Sequence, residues 1–116
     1  MQTVTYEQVK LFIQTNSLKF NPGQNKISYP IIHRIHKRLQ EGHRFGNIKV
    51  HNNTINDGHH RFICLSLLNM DIDHDIAGEN ITKQAEITWK DVALDIEDYD
   101  TEKEKAEYTK RYDKSL

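Results

Sequence analysis

The chain has very little of what cross-links or anchors a protein. Cys64 is the single cysteine in 116 residues, which excludes an internal disulfide and any zinc cluster built from cysteines. No apolar run is long enough to cross a membrane, and the first residues form no signal-peptide pattern. We therefore expect a cytoplasmic protein of one domain without membrane contact, in which Cys64 is a buried thiol of the core.

Charge is balanced over the whole chain but not along it. The net charge is −1, yet residues 1–66 hold nine Lys or Arg against three acidic residues, whereas residues 67–116 hold seven against fourteen. One interpretation is a basic surface for nucleic acid or phosphate, with an acidic segment that shields or mimics that partner. The other interpretation is that the two halves attract each other and stabilise the fold.

The N-terminal part is predicted to form a helix and then a short strand. A capping-box pattern at Thr5–Gln8 predicts a helix that ends near Thr15–Asn16. The segment Leu18–Phe20 alternates apolar and polar residues and predicts a brief strand. The Asn-Pro-Gly sequence at residues 21–23 predicts the turn that closes this strand.

A second helix is predicted between Ser28, as its N-cap, and Gly42, as its C-cap. Its apolar face carries four aliphatic side chains, namely Ile31, Ile32, Ile35 and Leu39. The opposite face is basic, and Arg34, Lys37 and Arg38 on it are the candidate contacts to nucleic acid or phosphate. A charged face of this kind is also compatible with simple exposure to solvent.

A hairpin followed by a third helix is predicted next. Residues 47–50 and 54–56 have the pattern of short strands, and His51–Asn53 supply the turn between them. The polar segment Asp57–Arg61 comes directly after the second strand. Its apolar continuation predicts a helix that begins near His59 and stops at Asn69, because asparagine tolerates the left-handed conformation found at helix ends.

The turn Asp57-Gly58-His59-His60-Arg61 is the candidate functional site. Gly58 can adopt a positive φ and lets backbone approach a ligand closely, while the helix N-terminus behind it attracts anions. Arg61 can grip a phosphate with two hydrogen bonds, and a histidine can titrate near neutrality and serve as acid or base. The simpler interpretation is that Asp57 caps the helix, Arg61 pairs with a surface carboxylate and the histidines are solvated.

The segment Asp71–Ile76 alternates acidic and apolar residues and predicts a strand with one buried face. Its other face carries Asp71, Asp73 and Asp75. A calcium-binding loop would need a glycine turn and a distal glutamate at fixed positions, and this segment has neither. We therefore predict no metal site here.

Residues 81–116 are predicted to form an acidic, mostly helical extension packed on the rest of the domain. Helix starts are indicated at Thr88–Asp91 and Thr101–Glu104. Between them, residues 92–96 alternate in a way that a short strand would also explain, and both alternatives stay open. Trp89 is expected to pack in the core rather than to bind a base.

The order of elements and the residues at the turns resemble the ParB and sulfiredoxin-like superfamily, also called ParB-like nuclease. The resemblance covers about residues 17–77 and places a family-type domain at residues 1–80. It implies an α+β fold in which a short mixed sheet is packed by helices. The matching segments are Leu18–Gln24 as opening strand and Asn-Pro turn, Tyr29–Gly42 as the next helix, then Ile48–Val50, Thr54–Asn56, Asp57–Arg61 and Ile72–Ile76.

The resemblance also implies roles for the residues of the turn. Gly58, His60 and Arg61 match residues that hold phosphates in the superfamily, and Asp57 or His59 would act as the catalytic acid or base. Sulfiredoxins keep their reactive cysteine at the position of His59, so repair of sulfinic acids is not expected. Partition proteins need a helix-turn-helix that the remaining chain is too short and too acidic to supply. Free-serine kinases carry a Gly-His-His turn, which leaves phosphotransfer open.

Two classes of function follow. The first is a nucleotide- or phosphate-binding protein that acts at Asp57–Arg61 as an NTP hydrolase, nuclease or phosphotransferase. Its partners would be nucleotide and nucleic acid, and a nucleoside triphosphate with Mg²⁺ is the candidate cofactor. The second is a non-catalytic interaction module, such as an immunity protein, an antitoxin or a small DNA-binding regulator, with the basic helix or the acidic C-terminal segment as its binding surface. The motif favours the first class and the small size favours the second, and turnover of a substrate stays open.

Overall fold

The computed structural model describes residues 3–78 and 87–112. Over these residues the chain forms a small α+β fold of four α-helices and five short strands. The helices are α1 Tyr6–Thr15, α2 Tyr29–Gln40, α3 His59–Leu67 and α4 Glu102–Tyr112. The strands are β1 Lys26–Ser28, β2 Ile48–His51, β3 Thr54–Asp57, β4 His74–Ile76 and β5 Ala93–Asp95, and a short 3-10 helix spans Trp89–Asp91.

The strands form one three-stranded and one two-stranded sheet. In the first, β2 lies in the centre, antiparallel to β3 and parallel to β4. The predicted hairpin is confirmed, because Asn52 and Asn53 at its turn both have positive φ, 48° and 65°, as a two-residue hairpin turn requires. In the second sheet, β1 pairs in parallel with β5, which brings the C-terminal part of the chain beside α2.

Three predicted helices begin and end close to their expected residues. Thr5 forms a capping box with Gln8 at the start of α1, as expected. Helix α2 begins after Ser28 and is followed by Gly42 with φ 96°. The Ser28 side chain does not cap α2, however, since its hydroxyl donates to the Glu97 carbonyl oxygen at 2.8 Å. Helix α3 ends just before Asn69, which has the expected left-handed φ of 53°.

The hydrophobic core contains residues from the N-terminal, central and C-terminal parts of the chain. Phe62 of α3 is fully buried, and its ring stacks on Trp89 with 5.7 Å between ring centroids. The Trp89 indole N–H also donates a hydrogen bond to the Phe20 carbonyl oxygen at 2.7 Å. The apolar ring and the polar N–H of this side chain therefore both have partners inside the protein. The prediction that Trp89 packs in the core is confirmed. Cys64 is also buried, and its thiol donates to the Ile32 carbonyl oxygen at 3.2 Å.

One strand prediction is wrong, and a second is correct only in part. Leu18–Phe20 forms no strand, and the backbone beside it makes only a single bridge, between Asn21 and Thr54. The Phe20 carbonyl oxygen instead accepts a hydrogen bond from the indole N–H of Trp89, a residue that is distant in the sequence. The segment after α3 forms a strand only over β4, and all three residues of β4 are exposed rather than buried on one face. An alternating pattern specifies a buried face only when another layer covers the whole strand. Here the His74 ring contacts the Phe20 ring, with 4.9 Å between centroids, and the three residues of β4 are still exposed.

For the C-terminal segment, the sequence left a helix and a short strand as alternatives at residues 92–96, and the structure has a strand. The alternating residues form strand β5, with a 3-10 helix before it and α4 after it, and both predicted helix starts have capping boxes. Residues 81–86 and 113–116 of the predicted helical extension lie outside the described residues. Across the residues that are described, no helix has the length and apolar character needed to cross a membrane.

Candidate functional site

The predicted turn has the backbone conformation that its glycine suggests. Gly58 has φ 101°, in the left-handed region. A Cβ added at Gly58 would lie 2.7 Å from Cγ2 of Ile48 and 2.9 Å from the Arg61 guanidinium. Only glycine fits this position without displacing its neighbours, because both the φ angle and the space exclude a side chain.

The N-terminus of α3 has no side-chain cap. Gly58 occupies the N-cap position, and the first intrahelical bond runs from the Phe62 N–H to the Gly58 carbonyl oxygen at 2.9 Å. The expected alternative, a cap by Asp57, is not formed, since the Asp57 carboxylate accepts from Arg61 instead, at 3.2 Å. The three N–H groups that precede Phe62 therefore carry the partial positive charge of the helix end.

His59 joins this helix end to the loop before β1. Its Nε2 accepts the Gly23 N–H at 2.8 Å, and the side chain packs 6.2 Å from the Trp89 ring. Burial, followed by the charge of His60, lowers the pKa of His59 from 6.5 to about 4. At neutral pH the ring is neutral, and because Nε2 accepts a hydrogen bond, its proton lies on Nδ1.

His60 makes the same kind of contact with the next piece of backbone. Its Nε2 accepts the Ser28 N–H at 2.9 Å, and its ring lies against Tyr99, with 6.3 Å between ring centroids. The pKa of His60 is lowered to about 4, chiefly by burial, and the charge of Arg34 lowers it as well. The prediction that a histidine of this turn titrates near neutrality is therefore wrong for both rings.

Arg61 is held at two points beside the helix end. One guanidinium nitrogen donates to the Gly46 carbonyl oxygen at 2.9 Å and the other to Asp57 at 3.2 Å. The Arg61 side chain is only 21% exposed, whereas that of Asp57 is 64% exposed. A guanidinium has five N–H donors, so these two contacts leave donors for a ligand.

All five residues of the predicted site border one cavity of about 560 Å³. The other walls of the cavity come from the loop before β2, from α2 and from the C-terminal segment. Four of the C-terminal residues that line it are Tyr99, Asp100, Tyr108 and Arg111. The motif could not predict these four, and the only sequence signal for them is the opposite charge of the two halves of the chain.

The basic face of α2 is not part of this cavity. Arg34 donates two hydrogen bonds to Asp98, at 2.6 and 2.9 Å, and one to Asp100 at 2.7 Å. Arg38 is buried, and Lys37 alone of the three candidate contacts is exposed. The three predicted nucleic-acid contacts thus lie in three different environments. The contacts of Arg34 support the interpretation that the two oppositely charged halves attract each other.

The described part of the chain has no cluster of side chains arranged as metal ligands. There, no group of three or more His, Cys, Asp or Glu side chains is placed to hold a metal ion. The three alternating aspartates Asp71, Asp73 and Asp75 are exposed, and the Asp75 carboxylate accepts from the Asn47 amide at 3.3 Å.

Fold and cavity together define a small α+β protein that has a cavity with both polar and apolar lining residues at the start of α3. Comparisons with protein-family models, with curated proteins and with solved structures found no match for this chain. The ParB and sulfiredoxin-like resemblance therefore stays a prediction that depends on the motif and the order of the elements.

Proposed function

We propose that the cavity at the N-terminus of α3 binds a phosphate-bearing ligand, and that a nucleotide is the class of ligand to test first. The observation that carries the proposal is the uncapped N-terminus of α3 beside the Arg61 guanidinium, both on one cavity. A helix N-terminus and an arginine are the two donor types that proteins most often present to phosphate. The resemblance to the ParB and sulfiredoxin-like superfamily supports the same assignment.

Some residues of the turn would bind the ligand, and others would hold the cavity in shape. The N–H groups of His59, His60 and Arg61 would bind the phosphate oxygens together with the remaining guanidinium donors of Arg61. The two neutral histidines would hold the cavity wall in place through the hydrogen bonds that their Nε2 atoms accept from backbone N–H groups. Gly58 would supply the left-handed turn that starts α3, at a position where Ile48 and Arg61 leave no room for a side chain.

Turnover, as an NTP hydrolase, nuclease or phosphotransferase, would need an acid or a base. With a pKa of about 4 and its Nε2 already bonded, His59 is badly suited to move a proton at neutral pH. Asp57 is the better choice, because its carboxylate is largely exposed at the edge of the cavity. We therefore propose Asp57 as the general base of any such reaction, with His59 as a residue that positions the loop.

The test is a calorimetric titration of inorganic phosphate and a panel of nucleotides, each with and without Mg²⁺. Arg61→Ala should weaken the binding of a phosphate compound by about 1.5 to 3 kcal/mol, the usual value of a charged hydrogen bond. Lys49→Ala is the matched control, because Lys49 is exposed on β2 and does not line the cavity. The proposal fails if no phosphate compound binds with a Kd below about one millimolar.

A second candidate function is a non-catalytic interaction module. It is favoured by one observation: Arg61 and both histidines already have protein partners that a purely structural turn would also have. In that case, substitutions at Arg61 and Asp57 would lower the melting temperature without changing the binding of any phosphate compound. The acidic C-terminal segment would then be the surface to test for a protein partner.

A further inference from the structure

The C-terminal helix brings one positive charge to the cavity. Thr101 and Glu104 form a capping box, with the Thr101 N–H donating to the Glu104 carboxylate at 2.9 Å and the Glu104 N–H donating to the Thr101 hydroxyl at 3.2 Å. This cap fixes the start of α4. Tyr108 and Arg111 are three residues apart, so they lie on the same face of the helix, and both line the cavity.

The formal charges of the side chains that line the cavity sum to zero. Two arginines, Arg61 and Arg111, face two aspartates, Asp57 and Asp100. The two histidines of the turn add no charge at neutral pH, as their lowered pKa values show. The lining side chains by themselves therefore sum to zero, but Asp100 is already paired with Arg34, which does not line the cavity. The positive charge of Arg111 is thus left over beside the partial charge at the start of α3, which is equivalent to about half a unit.

Arg111 is the charge in this set that has no hydrogen-bond or ion-pair partner among the residues that the structure describes. Arg61 is paired with Asp57, and Asp100 is paired with Arg34 of α2. For Arg111 the described chain contains no hydrogen bond or ion pair, although the residue is in place at the cavity. A charged group without a partner at the edge of a cavity is available to a ligand at no loss of an existing contact.

We propose that Arg111 is the second guanidinium contact of the bound anion, and that this anion is a single phosphate monoester rather than a triphosphate. A monoester carries about 1.5 to 2 negative charges at neutral pH, which Arg111 and the helix N-terminus together can balance. A triphosphate would place further negative charges beside Asp57 and Asp100 without a matching cation. The inference rests on the proposed function and names the ligand class and a further contact residue of the same cavity.

The shape of the cavity agrees with a monoester that carries an apolar or aromatic body. Phe45, Tyr99 and Tyr108 line the cavity together with Ile31 and Ile35 of α2. Aromatic rings stack on flat ligands, and apolar walls of this kind are typical of small-molecule sites. The phosphate would lie at the α3 end, and the body of the ligand would contact these rings.

The test is a set of calorimetric titrations of the full chain at low salt and without metal. The probes are inorganic phosphate, phenyl phosphate, AMP and ATP. The variants are Arg111→Gln and Arg111→Lys, with Lys110→Gln as the matched control, because Lys110 is the neighbouring exposed cation on α4 and does not line the cavity. Arg111→Gln should weaken the binding of a monoester by about 10- to 100-fold, as for a lost charged hydrogen bond. Lys110→Gln should leave it within about twofold, and Arg111→Lys should retain part of the affinity.

Each outcome separates this inference from the proposed function. If Arg111→Gln and Lys110→Gln have the same effect, Arg111 is not a ligand contact, although phosphate binding itself still stands. If ATP without metal binds more tightly than AMP and phenyl phosphate, the monoester class is wrong. If none of the four probes binds, the proposed function and the inference both fail. Because Arg111 has no partner among the described residues, its substitution should not lower the melting temperature, so a loss of binding is not explained by unfolding.

Discussion

The imidazole of His60 and the backbone of Ser28 are joined by one hydrogen bond, from the serine N–H to Nε2 at 2.9 Å. The hydroxyl of the same serine donates to the Glu97 carbonyl oxygen at 2.8 Å. Ser28 therefore connects the start of α3 to the acidic C-terminal segment. Arg34, further along α2, reinforces that connection through its ion pair with Asp98. The cavity is assembled from distant parts of the chain through these few contacts.

The stability of the protein should depend on pH because of these two histidines. The pKa values of His59 and His60 are about 4 in the folded protein, against 6.5 as their ordinary value. Between these values the unfolded chain binds protons that the folded chain does not, so the free energy of unfolding is largest above pH 6.5 and falls as the pH is lowered towards 4. The slope should reach about 1.4 kcal/mol per pH unit for each histidine at most. Urea denaturation at several pH values measures it.

Matched histidine variants identify the source of that slope. His59→Gln and His60→Gln should each reduce it, since glutamine does not titrate. His74→Gln is the matched control, because His74 is exposed on β4. A slope that is the same in all three variants would show that other groups titrate and that the two rings are not held neutral by the fold.

Gly23→Ala should destabilise the protein by about 2 kcal/mol or more, as overpacking against backbone does. A Cβ at Gly23 would lie 2.2 Å from the Ile55 carbonyl oxygen, so the loop would have to move away from β3. The N–H that binds His59 belongs to the same residue and would move with it. Gly78→Ala is the control, because a Cβ there meets nothing within 4 Å. Equal melting temperatures for the two variants would contradict the close approach.

The ion pair between Arg34 and Asp98 should be worth more than an ordinary surface pair. A double-mutant cycle with Arg34→Gln and Asp98→Asn is expected to give a coupling energy of about 1 to 2 kcal/mol, because the contact is bidentate and half-buried. The comparison pair is Lys105 and Glu102, whose carboxylate is 92% exposed. That pair should give only about 0.3 to 0.5 kcal/mol. Similar coupling energies for the two pairs would show that the C-terminal segment is not held by Arg34.

The Cys64 thiol should be unreactive in the folded protein. Its side chain is fully buried, and burial raises its pKa well above the ordinary value, so almost no thiolate is present. A thiol reagent such as Ellman's reagent should label Cys64 only after denaturant is added. Rapid labelling in native buffer would mean that α3 opens locally, and it would disagree with the tight packing of the core.

The sequence by itself determined the features that depend on neighbouring residues. The turn of two asparagines between β2 and β3, the capping box at Thr5 and the left-handed Gly58 before α3 all follow from residue types within a few positions of each other. The grouping of Asp57–Arg61 on one cavity follows for the same reason, because a strand that turns directly into a helix keeps these five residues together.

Burial and charge state were decided only by the tertiary structure. The alternating pattern after α3 formed strand β4, whose residues are all exposed, whereas the similar pattern at residues 92–96 formed strand β5, in which Leu94 is buried. The two histidines became neutral hydrogen-bond acceptors because Gly23 and Ser28, more than thirty positions earlier, bring their N–H groups to the rings. Arg111 lines the cavity because the pairing of β5 with β1 places the C-terminal segment and α4 beside it. A local pattern contains no information on which distant segment will cover it, and the pKa of a side chain depends on that cover.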